Sequence, residues 1–289
     1  MVHDFDKLTC ISCGSPLTNP STAGETDHSL CAQCSLNSKR RKKDLAKKYP
    51  QVTESEAIVL SSLERRVKRV IPQISEIEGD TFGFTTENGH VTGIAIHAKK
   101  ARSLPKILGN LLNLRTLYLY ENQLRSLPET LGNLLDLRAL YLYENQLRSL
   151  PETLGNLTKL EKLWVTSSQL RSLPASFGQL RNLRELSIAS NRLESLPESF
   201  GDLVNLQRMN LRFNKVQSLP ESLGKLKNLK EFSVGSNQLH SLPKSFGDLI
   251  RLRKFNVYNN QLCSFPESVT KLREQGCNIF VAGHYISRS

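Results

Sequence analysis

The chain reads as an α/β solenoid, a horseshoe with a parallel sheet on its concave side, preceded by a helix-and-hairpin cap and a small cysteine module. Three observations predict this. The pattern L-x-x-L-x-L-x-x-N-x-L-x-x-L-P recurs every 23 residues, starting at Leu114, Leu137, Leu160, Leu183, Leu206, Leu229 and Leu252. In each copy the L-x-L core alternates buried with outward residues, the period of a half-buried strand. Four of the six cysteines stand in C-x-x-C pairs, Cys10/Cys13 and Cys31/Cys34. These features divide the chain into a cysteine module at 1–38, a basic linker or helix at 39–53, a cap at 54–89, and repeats with a C-terminal cap at 90–289.

The cysteine module comes first. Seventeen residues separate Cys13 from Cys31, and four thiolates at this spacing close a tetrahedral zinc site with no position left for substrate, so the metal is structural. Residues 10–34 have too few apolar side chains to fold without such a staple. His28 is a rival ligand, although an exposed loop histidine is the simpler reading. Residues 39–48 then carry seven Lys or Arg and one Asp. Beside a zinc module this segment suits contact with a nucleic-acid backbone; as a bare charge run it suits a solvated helix face. Both readings stand.

Residues 54–70 have apolar positions at Ile58, Leu60, Leu63, Val67 and Val70, close to helical spacing, which predicts a helix sealing the N-terminal end of the solenoid. Strands follow around a turn at Asn88-Gly89. No single copy of the repeat can bury its own leucines, so stacking is required for a continuous core. The Asn at each strand end, at 122, 145, 191, 214, 237 and 260, suits backbone groups left where the chain turns. Lys99 and Ser168 depart from that pattern, which predicts a weak ladder there. On the convex side, Leu-Pro-Glu reads as the start of a helical turn, with Pro fixing φ and Glu facing the positive helix end. Cys277, Ile279 and Val281 are expected to close the sheet.

Over roughly residues 90–286 the sequence thus resembles the leucine-rich repeat family. Its SLPE-S/T-L/F-G-x-L half is similar to the repeats of intracellular Ras-pathway scaffolds and the plant Ras-group proteins. The leader before the repeats resembles one that precedes archaeal leucine-rich repeats, and residues 10–34 resemble zinc-ribbon and treble-clef modules. The resemblance implies a leucine-rich-repeat horseshoe acting as a protein-binding scaffold or adaptor, with a small GTPase as one partner by analogy.

The outward residues say where binding is expected. One column reads Ala95, Tyr118, Tyr141, Trp164, Ser187, Asn210, Ser233, Asn256, and the next His97, Tyr120, Tyr143, Thr166, Ala189, Arg212, Gly235, Tyr258. Tyr118, Tyr120, Tyr141, Tyr143 and Trp164 fall on three adjacent strands and form the leading candidate hot spot, rimmed by Glu121 and Glu144. Residues 113–135 and 136–158 differ at only three positions, so duplication also explains the second tyrosine pair, but not Trp164. Arg125, Arg148 and Arg171 continue a stripe begun by Arg102. Its two readings are anion attraction and simple solvation.

Composition bounds the function. With 38% hydrophobic and 23% charged residues, the chain is neither disordered nor a membrane protein in composition. No apolar run nears the roughly 18 residues of a span, and MVHDFDKLTC shows no leader or lipidation motif, so a cytoplasmic location without membrane attachment is expected. The net charge of +12 resides in the repeats: residues 1–50 carry +3, 51–88 carry −3 and 89–289 carry +12, favouring an acidic partner. No phosphate loop, nucleophile elbow or metal-binding histidine pair is present, and an enzyme is not expected. The alternative to a protein scaffold is a nucleic-acid binder using the zinc module and basic segment.

Overall fold

The computed structural model describes residues 32–78, 80–97, 101–281 and 284–286. Cys10, Cys13, Cys31 and Lys99 lie outside these residues, as does the side chain of Cys34. The chain divides into two compact units between Ile58 and Val59. In the first, α1 (Ala32–Lys48) runs across position 38, where the sequence separates the cysteine segment from the basic one. Its Lys39 to Lys43, Lys47 and Lys48 are exposed, while Leu45 and Tyr49 are buried. A capping box starts α2 (Glu54–Val67): the Glu56 carboxylate accepts from Thr53 N–H at 3.2 Å, and the Thr53 hydroxyl accepts from Glu56 N–H at 3.4 Å. The helix ends before residue 70, because Lys68 adopts a left-handed φ of 53°. Val70, which helical spacing assigns to the buried face, is therefore exposed.

In the second unit, Val59, Leu60, Leu63 and Val67 are buried. A hairpin of β1 (Gly83–Glu87) and β2 (His90–Ala95) turns through Asn88 and Gly89 at φ 51° and 79°, the sign a tight hairpin turn requires. The repeats then contribute β3 (Thr116–Tyr118), β4 (Ala139–Tyr141), β5 (Lys162–Trp164), β6 (Glu185–Ser187), β7 (Arg208–Asn210), β8 (Glu231–Ser233) and β9 (Lys254–Asn256). A helix, α3 (Glu267–Glu274), leads into β10 (Asn278–Val281) and β11 (His284–Ile286). The eleven described strands form one sheet in chain order. β2 through β10 are mutually parallel, and the antiparallel β1 and β11 finish the two edges. Each register places a copy's central leucine, or its Met or Phe equivalent, beside the next: Leu117, Leu140, Leu163, Leu186, Met209, Phe232, Phe255. No helix among the described residues is long and apolar enough to cross a membrane.

Asparagine explains why the strands stop after three residues. The residue before each ladder Asn is left-handed, from Glu121 to Asn259, with φ between 51° and 58°. There the chain leaves the sheet and would strand its carbonyls. Asn145 collects them: its Nδ2 donates to Leu119 O at 2.8 Å, Leu142 O at 2.9 Å and Tyr143 O at 3.4 Å, while its Oδ1 accepts from Leu124 N–H at 3.1 Å. Asn191, Asn214 and Asn237 repeat this set. Ser168 cannot span it, and its hydroxyl oxygen is buried without a partner among the described residues. Such an orphan costs about 1–3 kcal/mol, so the ladder has its gap there.

The convex turns differ in one detail from the sequence-based reading. Each proline caps a 3-10 turn from outside, in extended conformation, rather than opening it; Pro151 has φ −68° and ψ 149°. The glutamate that follows serves the neighbouring turn instead of its own. Glu152 accepts from the N–H groups of Ala175 and Ser176 at 3.2 and 3.1 Å, and Glu221 from those of Lys244 and Ser245, both at 3.0 Å. The reason is geometric: stacked turns bring one copy's carboxylate to the free N–H groups of the next. The Ser176 N–H accordingly holds the Glu152 carboxyl below its usual range. Close stacking also needs glycine, since a Cβ at Gly132 would lie 2.4 Å from the Thr153 carbonyl oxygen.

Candidate functional site

The pleat sends the residues flanking each central leucine to the concave face. Parallel pairing sets Tyr118 beside Tyr141 and Tyr141 beside Trp164. Their rings touch: Tyr118 and Tyr141 stack with centroids 4.2 Å apart, and Tyr141 meets Trp164 edge-on at 5.3 Å. In the second column, Tyr120 lies between His97 at 5.2 Å and Tyr143 at 4.7 Å. These contacts consume much of the ring surface. Tyr120 is 1% exposed and Tyr141 9%, Tyr118 and Tyr143 are half-buried, and Trp164 is 39% exposed. The Tyr120 hydroxyl donates to Asp80 Oδ1 at 3.2 Å. Burial, and then the Asp80 hydrogen bond, push its pKa well above the ordinary phenol value. Burial and the contact with Tyr118 do the same for Tyr141. The five aromatics therefore form one wall, with Trp164 as its accessible end.

Past Trp164 the face changes character. Lys162, Glu185, Arg208, Glu231 and Lys254 alternate in sign across five strands. Glu185 pairs with Lys162 at 3.7 Å and with Arg208, and Glu231 with Lys254 at 3.1 Å. Beside this row the central column shrinks to Ser187, Asn210 and Ser233. The loss of bulk opens a trough of about 540 Å³, with Trp164 and Tyr143 at one end and Glu185, Arg208 and Glu231 along one side. Its size suits a short stretch of bound chain.

Arg125, Arg148 and Arg171 are exposed. They hold one position in successive copies, on the stretch descending from the sheet, apart from the trough lining. Glu121 and Glu144 occupy the left-handed positions at the sheet edge, and Glu144 lines the trough. Arg212 and Tyr258, which the repeat spacing places in one column, form a further pair that the residue types alone do not single out. Arg212 Nη2 donates to the Tyr258 hydroxyl, and the guanidinium lies 5.1 Å from the ring centroids of both Phe213 and Tyr258. The available signal was Gly235 between them in the same column: a Cβ there would fall 2.7 Å from the Tyr258 ring. Among the described residues, no group of three or more His, Cys, Asp or Glu side chains is placed to hold a metal ion.

Comparison with known proteins agrees with this architecture. A sequence model described as the leucine-rich repeat region matches residues 93–192 and 175–277. The comparison with curated proteins returns no match. A leucine-rich repeat protein of Leptospira interrogans is similar at 32% identity and TM-score 0.54, over 62% of this chain and 51% of that one. The ectodomain of the Arabidopsis thaliana receptor kinase GASSHO1/SCHENGEN3, solved in complex with Casparian strip integrity factor 2, is similar at 26% identity and TM-score 0.64, over 77% and 29%. An internalin of Listeria monocytogenes shares the fold at 21% identity and TM-score 0.56, over 66% and 54%. The chain spans about half the length of the first and third of these and under a third of the second.

Proposed function

The chain belongs to the leucine-rich repeat family, and on that premise we propose that it is a scaffold or adaptor whose concave face binds a protein partner. The observation that carries this reading is Trp164, held 39% exposed at the end of an ordered aromatic wall and at the mouth of the trough. An exposed indole on a rigid face is costly in water and is the side chain most enriched among interface hot spots. The complex formed by the plant receptor ectodomain supports a peptide or protein as the class of ligand. The +12 charge of the repeats favours an acidic partner, and the likeness of the SLPE repeats to Ras-pathway scaffolds puts a small GTPase among the partners to test first.

Pull-down with the intact chain tests the reading. Trp164→Ala and the blocking substitution Ser187→Arg are each expected to weaken capture by about 30-fold or more, the scale of a central hot spot, with circular dichroism unchanged. A bound set indifferent to both substitutions would remove the concave face from the function. From cysteine spacing alone, we also propose that Cys10, Cys13, Cys31 and Cys34 hold one structural zinc. Elemental analysis of the reduced chain is expected to find about one zinc per chain, lost in Cys10→Ser; a zinc-replete preparation without bound metal would refute it.

A further inference from the structure

We infer that Arg212 and Tyr258 form a carboxylate-binding subsite on the concave face, and that the bound partner is an extended segment with an apolar anchor at Trp164 and an Asp or Glu side chain three to four residues away. This rests on the concave-face reading above and specifies the chemistry it selects.

Charge pairing distinguishes Arg212 from its neighbours. Lys162, Arg208 and Lys254 are each matched by Glu185 or Glu231. Among the described residues no carboxylate pairs with Arg212, whose only side-chain hydrogen bond is to a phenol and whose Nε is buried without a partner. A partly desolvated guanidinium with no anion is an incomplete arrangement, and a carboxylate is its natural complement. Tyr258 is set to share that ligand. Its hydroxyl oxygen accepts from the Ser236 hydroxyl and from Arg212 Nη2, which together hold its pKa below the ordinary phenol value, and its own proton is left to donate. Gly235 keeps the floor beneath the ring clear.

The position matches the trough. Asn210 lines it and accepts from the Arg212 backbone N–H at 3.2 Å, so Arg212 stands at the rim opposite Glu185 and Glu231. Trp164 and Arg212 are two strands apart and displaced by two residues along the strand direction. That is about 12 Å, or three to four residues of extended chain at about 3.3 Å each. The other cations of the row are already matched by Glu185 and Glu231, so the subsite offers one guanidinium and one phenol, which suits a single carboxylate rather than a doubly charged phosphate. Because β8, β9 and β10 continue the sheet beyond Arg212, the bound chain has room to run on, which favours an internal acidic side chain over a chain terminus.

The test uses the full chain and a positional-scanning peptide library. One fixed Phe is followed or preceded by each amino acid at separations of one to six, with phosphoserine and a free C-terminal carboxylate as additional arms. Enrichment of Asp or Glu at a separation of three or four is expected, with affinity about 10-fold or more above Ala at that position. Arg212→Gln and Tyr258→Phe should erase or reduce that preference while selection for Phe persists. Trp164→Ala should abolish both. Peptides that depend on Trp164 but show no acidic preference, or one unchanged in Arg212→Gln, overturn the subsite and leave the concave-face reading intact. A preference for phosphoserine or a free terminus also overturns it. Retention of no peptide overturns the extended-segment subsite, and the pull-down with Trp164→Ala then decides the concave-face reading by itself.

Discussion

The concave face has two halves built on the same backbone and stabilised by opposite means. From β3 to β5 the outward side chains are large and aromatic, and they pack on each other: four ring contacts run from Tyr118 to Trp164 and from His97 to Tyr143. Each such pair adds about 0.5–1.5 kcal/mol beyond its buried area. From β6 to β9 the outward side chains are serine, asparagine and a row of alternating charges, whose exposed pairs are worth about 0.2–1 kcal/mol each and are screened by salt. The first half spends its chemistry on internal cohesion and leaves one indole accessible. The second half leaves space, and an arginine without an anion. Recognition is strongest to expect where they meet, because only there do a rigid apolar anchor and an open polar floor adjoin.

That contrast can be broken by measurement. Trp164 is the sole tryptophan, so its fluorescence during urea unfolding reports the junction directly. The largest effect is expected from Tyr120→Ala, which deletes a fully buried ring and its bond to Asp80. A loss of about 3–5 kcal/mol is expected, as for other buried aromatics truncated to alanine. A cost no greater than that of a change in the charged row would show that the stack is not cohesive. Next comes Ser168→Asn, which fills the ladder gap beside Trp164 and removes the buried orphan hydroxyl. A gain of about 1–2 kcal/mol is expected, and an unchanged midpoint would mean the gap is not a weak point. The smallest effect should follow Glu185→Gln, which unpairs Lys162 and Arg208. It should cost under about 1 kcal/mol in low salt and nothing measurable in 1 M NaCl; a large loss independent of salt would overturn the account of that half.

Much of this was legible in the sequence because the signal is periodic. Twenty-three-residue spacing fixes which residues share a column, and the register pairs Tyr118 with Tyr141 and Trp164 as the spacing requires. Ser168 marked itself by breaking the Asn position. Side-chain accessibility was not legible. Tyr120 and Tyr143 hold equivalent positions in nearly identical copies, yet Tyr120 is buried, since His97 from the first repeat and Asp80 from the cap meet it. The convex glutamates likewise have the composition of helix-start residues, but their N–H partners lie 23 or 24 positions away.

By itself the sequence determined the repeat, its period, the buried leucines and the columns of the concave face, because a period forces stacking and stacking forces alignment. Only the tertiary structure decided which aligned side chains remain available to a partner. Tyr258 reaches Arg212 across 46 residues and over Gly235, and no spacing rule encodes that reach. Availability depends on what covers a ring or answers a charge, and here those neighbours come from other copies of the repeat and from the cap.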